Sequence, residues 1–297
     1  MQIENVRIDL HRTMRVPSGK TPAQLPPSLG ILKTYRVADY REKCPELWED
    51  GGVFVPLHDA EAMWISFHLS GSNPRALIIG AGNVNAITGK KLTTILEIPQ
   101  NYVVVPTQPW LDGWKDETGV VYQFVSAKYE GGTGLTVGEQ ILGQDSNTGG
   151  IGIAVYNPTD PNLSGAQTFS HYPVAGLYDG SEWQGAGALG DLPVTRGCAT
   201  KGFGEMGLGK GGAIAQKVYP DPFTNGRNPQ AVWESSPVAT MAIYLVNAAS
   251  FAEITGETVQ PSPVTSDSYG GPYFQVDDDN QPDAPGSSAF VGLKSAF

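Results

Sequence analysis

Val6, Ile8 and Leu10 alternate with Arg7 and Asp9 near the start of the chain, the period-two pattern of a strand that buries one face. Residues 53–57, 76–79, 151–156 and 241–246 are instead nearly unbroken apolar runs, and Trp64, Ile65 and Phe67 make another. Runs of this length bounded by turn residues predict further strands, with 76–79 a short buried one. The most patterned stretch is 98–125, where 102–105 and 120–125 are rich in Val and Tyr and flank Trp110-Leu111-Asp112-Gly113-Trp114. Asp-Gly tolerates positive φ and marks a turn, and Pro106 removes a ladder donor, so the stretch predicts a central hairpin with Trp110–Trp114 at its tip.

Helical signals are short. Val37, Tyr40, Cys44, Leu47 and Trp48 recur at three- and four-residue spacing, but Pro45 divides them into two pieces that Gly51 and Gly52 close. Asp59 is placed to cap a turn over 60–63. Thr136 with Glu139, and Ser250 with Glu253 before Gly256, have capping-box spacing. Residues 157–212 and 257–297 show no period. The expected fold is a mainly β, antiparallel, sandwich-like body with a few short helices and long Gly/Pro-rich loops. It forms one domain over 1–297, or two closely packed lobes, with 157–212 as a covering loop region and 257–297 as a C-terminal arm.

Composition sharpens this picture. Glycine (37) and proline (23) make up about a fifth of the chain, between average and disordered usage, as in a turn-rich β protein. Charged residues are only 16%, and acids outnumber bases by 30 to 19 without any basic run. The resulting net charge of -11 argues against nucleic acid and anionic membrane as partners. Residues 239–249 are far shorter than the roughly 18 apolar residues of a spanning helix, and charges interrupt the first twelve residues where a secretion signal has its apolar core. A soluble, cytoplasmic chain is expected, without membrane insertion. Cys44 and Cys198 lack CxxC spacing and are expected to be reduced.

Several motifs carry possible chemistry. Gly204 to Gly211 nearly spells a phosphate-binding loop, but Gly211 stands where the hydroxyl belongs, and the stretch predicts a glycine-rich loop packed on other backbone. The run 76–85 leads a strand into Gly80-x-Gly82 but has Asn85 for the third glycine. Asp277, Asp279 and Asp283 place hard oxygens at short spacing, the ligand type calcium prefers, against the simpler reading of a solvated acidic turn. His11, His58, His68 and His171 form no HxH or HExxH pair, and no GxSxG elbow occurs. Trp110, Asp112 and Trp114 are the candidate contacts to a ligand or partner, as a platform that stacks on a sugar, against the simpler reading of aromatics packed at the rim of a turn.

Residues 25–30 (LPPSLG), 51–56 (GGVFVP), 99–113 (PQNYVVVPTQPWLDG), 206–212 (MGLGKGG) with 219–223 (YPDPF), and 254–257 (ITGE) together resemble a family of uncharacterised, mostly bacterial proteins sometimes labelled "integral membrane protein". QPWLDG is its most specific stretch. The resemblance implies one continuous fold and brings no catalytic residues to carry over. The expected function is therefore a non-enzymatic, self-assembling structural protein that forms homo-oligomers or a larger assembly through arms at 16–29 and 257–297. The rival is a small-ligand or carbohydrate-binding protein or hydrolase using loops near Trp110–Trp114 and 157–212.

Overall fold

A computed structural model describes residues 1–19, 22–165, 203–259 and 283–297. The described strands are β1 (Gln2–Ile3), β2 (Val6–Thr13), β3 (Ser28–Ile31), β4 (Tyr35–Arg36), β5 (Val53–Leu57), β6 (Ala62–Leu69), β7 (Arg75–Ala81), β8 (Val84–Asn85), β9 (Val103–Val105), β10 (Trp110–Leu111), β11 (Gly113–Lys115), β12 (Val121–Lys128), β13 (Ile151–Tyr156), β14 (Glu205–Ile214) and β15 (Ala239–Asn247). The chain is mainly β, as expected. These strands hydrogen-bond into a single sheet in the order β1-β2-β6-β12-β14-β15-β13-β7-β8, antiparallel except where β5 runs parallel to β15.

Alternation decides where each side chain goes. Ile8 and Leu10 of β2, Ile65 of β6, Phe124 of β12, Ile243 of β15, Ile153 of β13 and Ile79 of β7 all join one central core. Strands from both ends of the sheet thus share it, so the sheet curls round that core. The opposite faces are also covered. Phe54, Tyr244 and Val246 pack under the segment carrying Val37, Cys44 and Trp48 and under α2 (Ala248–Thr255). Ala76, Ile78, Ala154 and Tyr156 pack against Leu92, Leu96, Tyr102 and Trp233. Trp64, Trp110 and Val121 pack against Val16 and Leu25. Burial on both sides is why β7, β13 and β15 read as continuous apolar runs.

The local signals fare unevenly. Thr136 and Glu139 form a reciprocal capping box on α1 (Val137–Leu142), and Gly256 ends α2 in the left-handed conformation. The cap of α2 is Asn247, whose side chain accepts from the Ser250 amide, so the helix begins before the predicted Ser250. The predicted 98–125 hairpin is not formed. β9 pairs with β7, while β12 pairs with β11, β14 and β6. The turn that joins β11 to β12 is built by Asp116, whose Oδ1 accepts from the amides of Thr118 and Val120, with Gly119 at positive φ.

Two glycine motifs also change meaning. Gly82 and Asn83, with φ of 59° and 62°, are the two-residue turn between β7 and β8, and Gly80 within β7 leaves room for Leu92, so the Gly-x-Gly is accounted for without any phosphate. The expected loop at 204–211 is strand β14. Its glycines let three segments rest directly on its backbone: a Cβ at Gly207 would meet Thr136 at 2.7 Å, one at Gly209 would meet Ala296 at 2.6 Å, and one at Gly212 would meet Val16 at 2.7 Å.

Candidate functional site

The QPWLDG segment is built into the body. Gln108 donates from Nε2 to the carbonyls of Trp110 and Lys217, and its Oε1 accepts from the Tyr219 amide. Gln216 returns the clasp, accepting from the Asp112 amide at 3.0 Å. Trp110 and Trp114 do not form a stacking platform. Trp110 lies in the outer cluster with Trp64, Leu25 and Ile214, whereas Trp114 lies in the central core against Phe124 and Phe290. Both indoles are buried.

Asp112 is buried between them. Burial pushes its carboxyl up to about 8, a rise that its hydrogen bond with Trp110 only partly offsets. Its Oδ2 is enclosed without a hydrogen-bond partner. A carboxyl in this setting is neutral near pH 7 and is a packed group rather than an exposed ligand contact.

Of the three aspartates expected to suit calcium, Asp277 and Asp279 lie outside the described residues, as do Cys198 and His171. Asp283 is described, and its carboxylate has protein partners. It accepts from the Val218 amide at 3.0 Å and pairs with Lys115 Nζ at 2.5 Å. Lys115 is itself buried and donates to the Ala284 carbonyl at 2.7 Å. Among the described residues no group of three or more His, Cys, Asp or Glu side chains is arranged to hold a metal.

The most concentrated polar chemistry lies on the outward face of β2 and β6, and motif spacing missed it. Register sets Asp9 opposite Ser66, His11 opposite Trp64, and Arg7 opposite His68. Ser66 Oγ lies 2.8 Å from His11 Nε2 and 3.2 Å from His68 Nε2, and His11 Nδ1 lies 2.9 Å from Ser28 Oγ on β3. The His11 ring lies flat on the Trp64 indole, centroids 3.7 Å apart. Asp9 holds Arg7 through two nitrogens and sits 3.8 Å from both His68 Nε2 and the Met1 amine. Desolvation lowers His11 to about 4 and also lowers His68, against the opposing pull of Asp9. The available signal was parity: residues 7, 9, 11 and 13 on one strand and 64, 66 and 68 on the other are the non-core positions of alternating segments.

No protein-family model, curated protein or solved structure matches the chain.

Both arms expected to dock on neighbours pack in cis where they are described. Val16 and Leu25 are buried in the outer cluster, and the Val16 amide donates to Gln123 Oε1. Phe290 is buried in the central core, and Ser295 bridges to Lys210 of β14. No helix among the described residues is long and apolar enough to cross a membrane.

Proposed function

We propose that this chain is a non-enzymatic, self-assembling structural protein whose copies meet through the loop at 92–101 rather than through its arms. The observation that carries this reading is a pair of exposed apolar side chains on a loop that is otherwise riveted down. Ile95 is 56% exposed and Ile98 52%, while Leu92 and Leu96 on the same loop are buried.

Asn101 accepts from the Glu97 amide and donates to the Ile95 carbonyl, Asn85 donates to the Asn101 carbonyl, Gln230 to Leu96, and Tyr156 to Thr94. A loop held by five such bonds loses little further freedom on contact, which favours association. Covering an isoleucine that is already half-buried contributes about 1–1.5 kcal/mol, half the value for full burial, and a two-fold contact that brings the same loop from each copy together would cover four.

The burial of Trp110 and Trp114 supports the same reading, since it leaves the rival ligand platform without an accessible face. Size-exclusion chromatography with light scattering tests the proposal. Ile95→Glu combined with Ile98→Glu is expected to reduce the wild-type particle to the 31.6 kDa monomer.

A further inference from the structure

We infer that His11, Ser66 and His68 form a proton relay that holds one proton at a time and fastens the strand β3 to the sheet through Ser28. The chain of contacts is continuous: His68 Nε2, Ser66 Oγ and His11 Nε2 are linked at 3.2 and 2.8 Å, and His11 Nδ1 reaches Ser28 Oγ at 2.9 Å. One end is open to solvent, with the His68 side chain 42% exposed. The middle is closed, with Ser66 at 4%. That closure denies Ser66 to an incoming carbonyl, so the arrangement is not that of a hydrolytic nucleophile.

With both imidazoles neutral, one proton occupies each link. In one direction His68 Nε2–H donates to Ser66, Ser66 O–H donates to His11 Nε2, and His11 Nδ1–H donates to Ser28. A proton arriving from solvent at His68 Nδ1 moves inward by two transfers: the Nε2 proton passes to Ser66 Oγ as the Ser66 proton passes to His11 Nε2. The result is a neutral His68 that accepts from Ser66, and a His11 imidazolium that donates to both serines. Proton count and hydrogen bonding are conserved, and the cation lies on the Trp64 indole face, which offsets part of the desolvation that disfavours charge on His11.

A second proton makes both rings cationic. Both Nε2–H groups then point at the two lone pairs of Ser66 Oγ, whose own proton loses its acceptor in the chain, and the two like charges meet across one hydroxyl. The charged groups around them are Arg7 and Asp9 from β2 and the Met1 amine, so among the described residues a single carboxylate would face four cations. β3 contributes the Ser28 hydroxyl and β10 the uncharged Trp110 at the position opposite Ser66. Repulsion between the two imidazolium rings across Ser66 pushes His11 out of place, which loosens its Ser28 contact and the pairing of β3 to β2 at His11 with Ile31 and Arg12 with Gly30.

Histidine side-chain NMR of the full chain, titrated from about pH 8 to about pH 3, tests this together with amide exchange at Ile31 and Leu32. Wild type is expected to show both imidazoles responding in the same two steps, because the first proton is divided between them. Exchange at Ile31 is expected to rise at least tenfold at the second step only. Ser66→Ala is expected to split the response into two independent single-site curves. His68→Gln, at the half-exposed end where folding is least at risk, is expected to leave His11 with one step and to abolish the acid rise in exchange. Independent single-step titration of His11 and His68 in wild type, with His11 unchanged by His68→Gln, would overturn the relay.

Discussion

Trp110 and Trp114 stand four residues apart on consecutive short strands and point to opposite faces of the sheet, one into the outer cluster under Leu25 and the other into the central core against Phe290. The segment between them is thus a pin driven through the sheet. Trp114→Ala removes a fully buried indole and its bond to the Gly209 carbonyl, and is expected to cost about 3–5 kcal/mol in denaturant unfolding. Trp110→Ala is expected to expose the 14–29 segment to proteolysis before the rest of the chain. Equal resistance of that segment in wild type and variant would count against the pin.

Asp112 gives the fold a pH dependence of definite sign. Its carboxyl is raised in the folded state to about 8, so the native form binds the proton more tightly than the unfolded chain. Stability from this group is present at low pH and is lost as pH rises from the ordinary carboxylate range through the folded value. Melting temperatures at pH 5, 7 and 9 are expected to fall more steeply for wild type than for Asp112→Asn. Parallel curves would show that Asp112 is not the responsible group.

Lys115 clamps the C-terminal segment. Replacing it by Met leaves the Ala284 carbonyl and Asp283 without their cation, with an expected cost of about 1–3 kcal/mol. The amides of Ser287, which bonds the Lys115 carbonyl, and of Ala296, which bonds Lys210, report on this segment. Hydrogen exchange at Ser287 and Ala296 is expected to quicken in Lys115→Met, and a chelator is expected to leave the wild-type melting temperature unchanged. A chelator-induced drop would instead favour calcium.

Local and amphipathic signals were legible in the sequence, and long-range pairing was not. The alternation of Val6, Ile8 and Leu10, the apolar strand runs, the Thr136–Glu139 box and the Gly256 stop all depend on neighbours within a few residues. Pairing β9 with β7 rather than β12 depends on partners that periodicity does not encode. Strand β14 was hidden because its glycines answer to three segments from elsewhere in the chain, so composition imitates a loop. The His11–Ser66 contact joins residues 55 positions apart. Parity placed each on a non-core face, but only strand register placed them together.

Salt acts on the proposed assembly with a predictable sign. Each copy carries a net charge of -11, so like copies repel at low ionic strength and screening relieves that repulsion. Apparent mass is expected to rise between about 0.01 M and about 1 M ionic strength; a fall would point to ion pairs as the contact.

The most direct measurement is sedimentation equilibrium of wild type beside the Ile95→Glu, Ile98→Glu double variant over a wide concentration range. Wild type is expected to have a mass that is a multiple of 31.6 kDa, and the variant to stay at 31.6 kDa with an unchanged melting temperature. A wild-type protein that remains a 31.6 kDa monomer at every concentration and salt would contradict the proposed assembly.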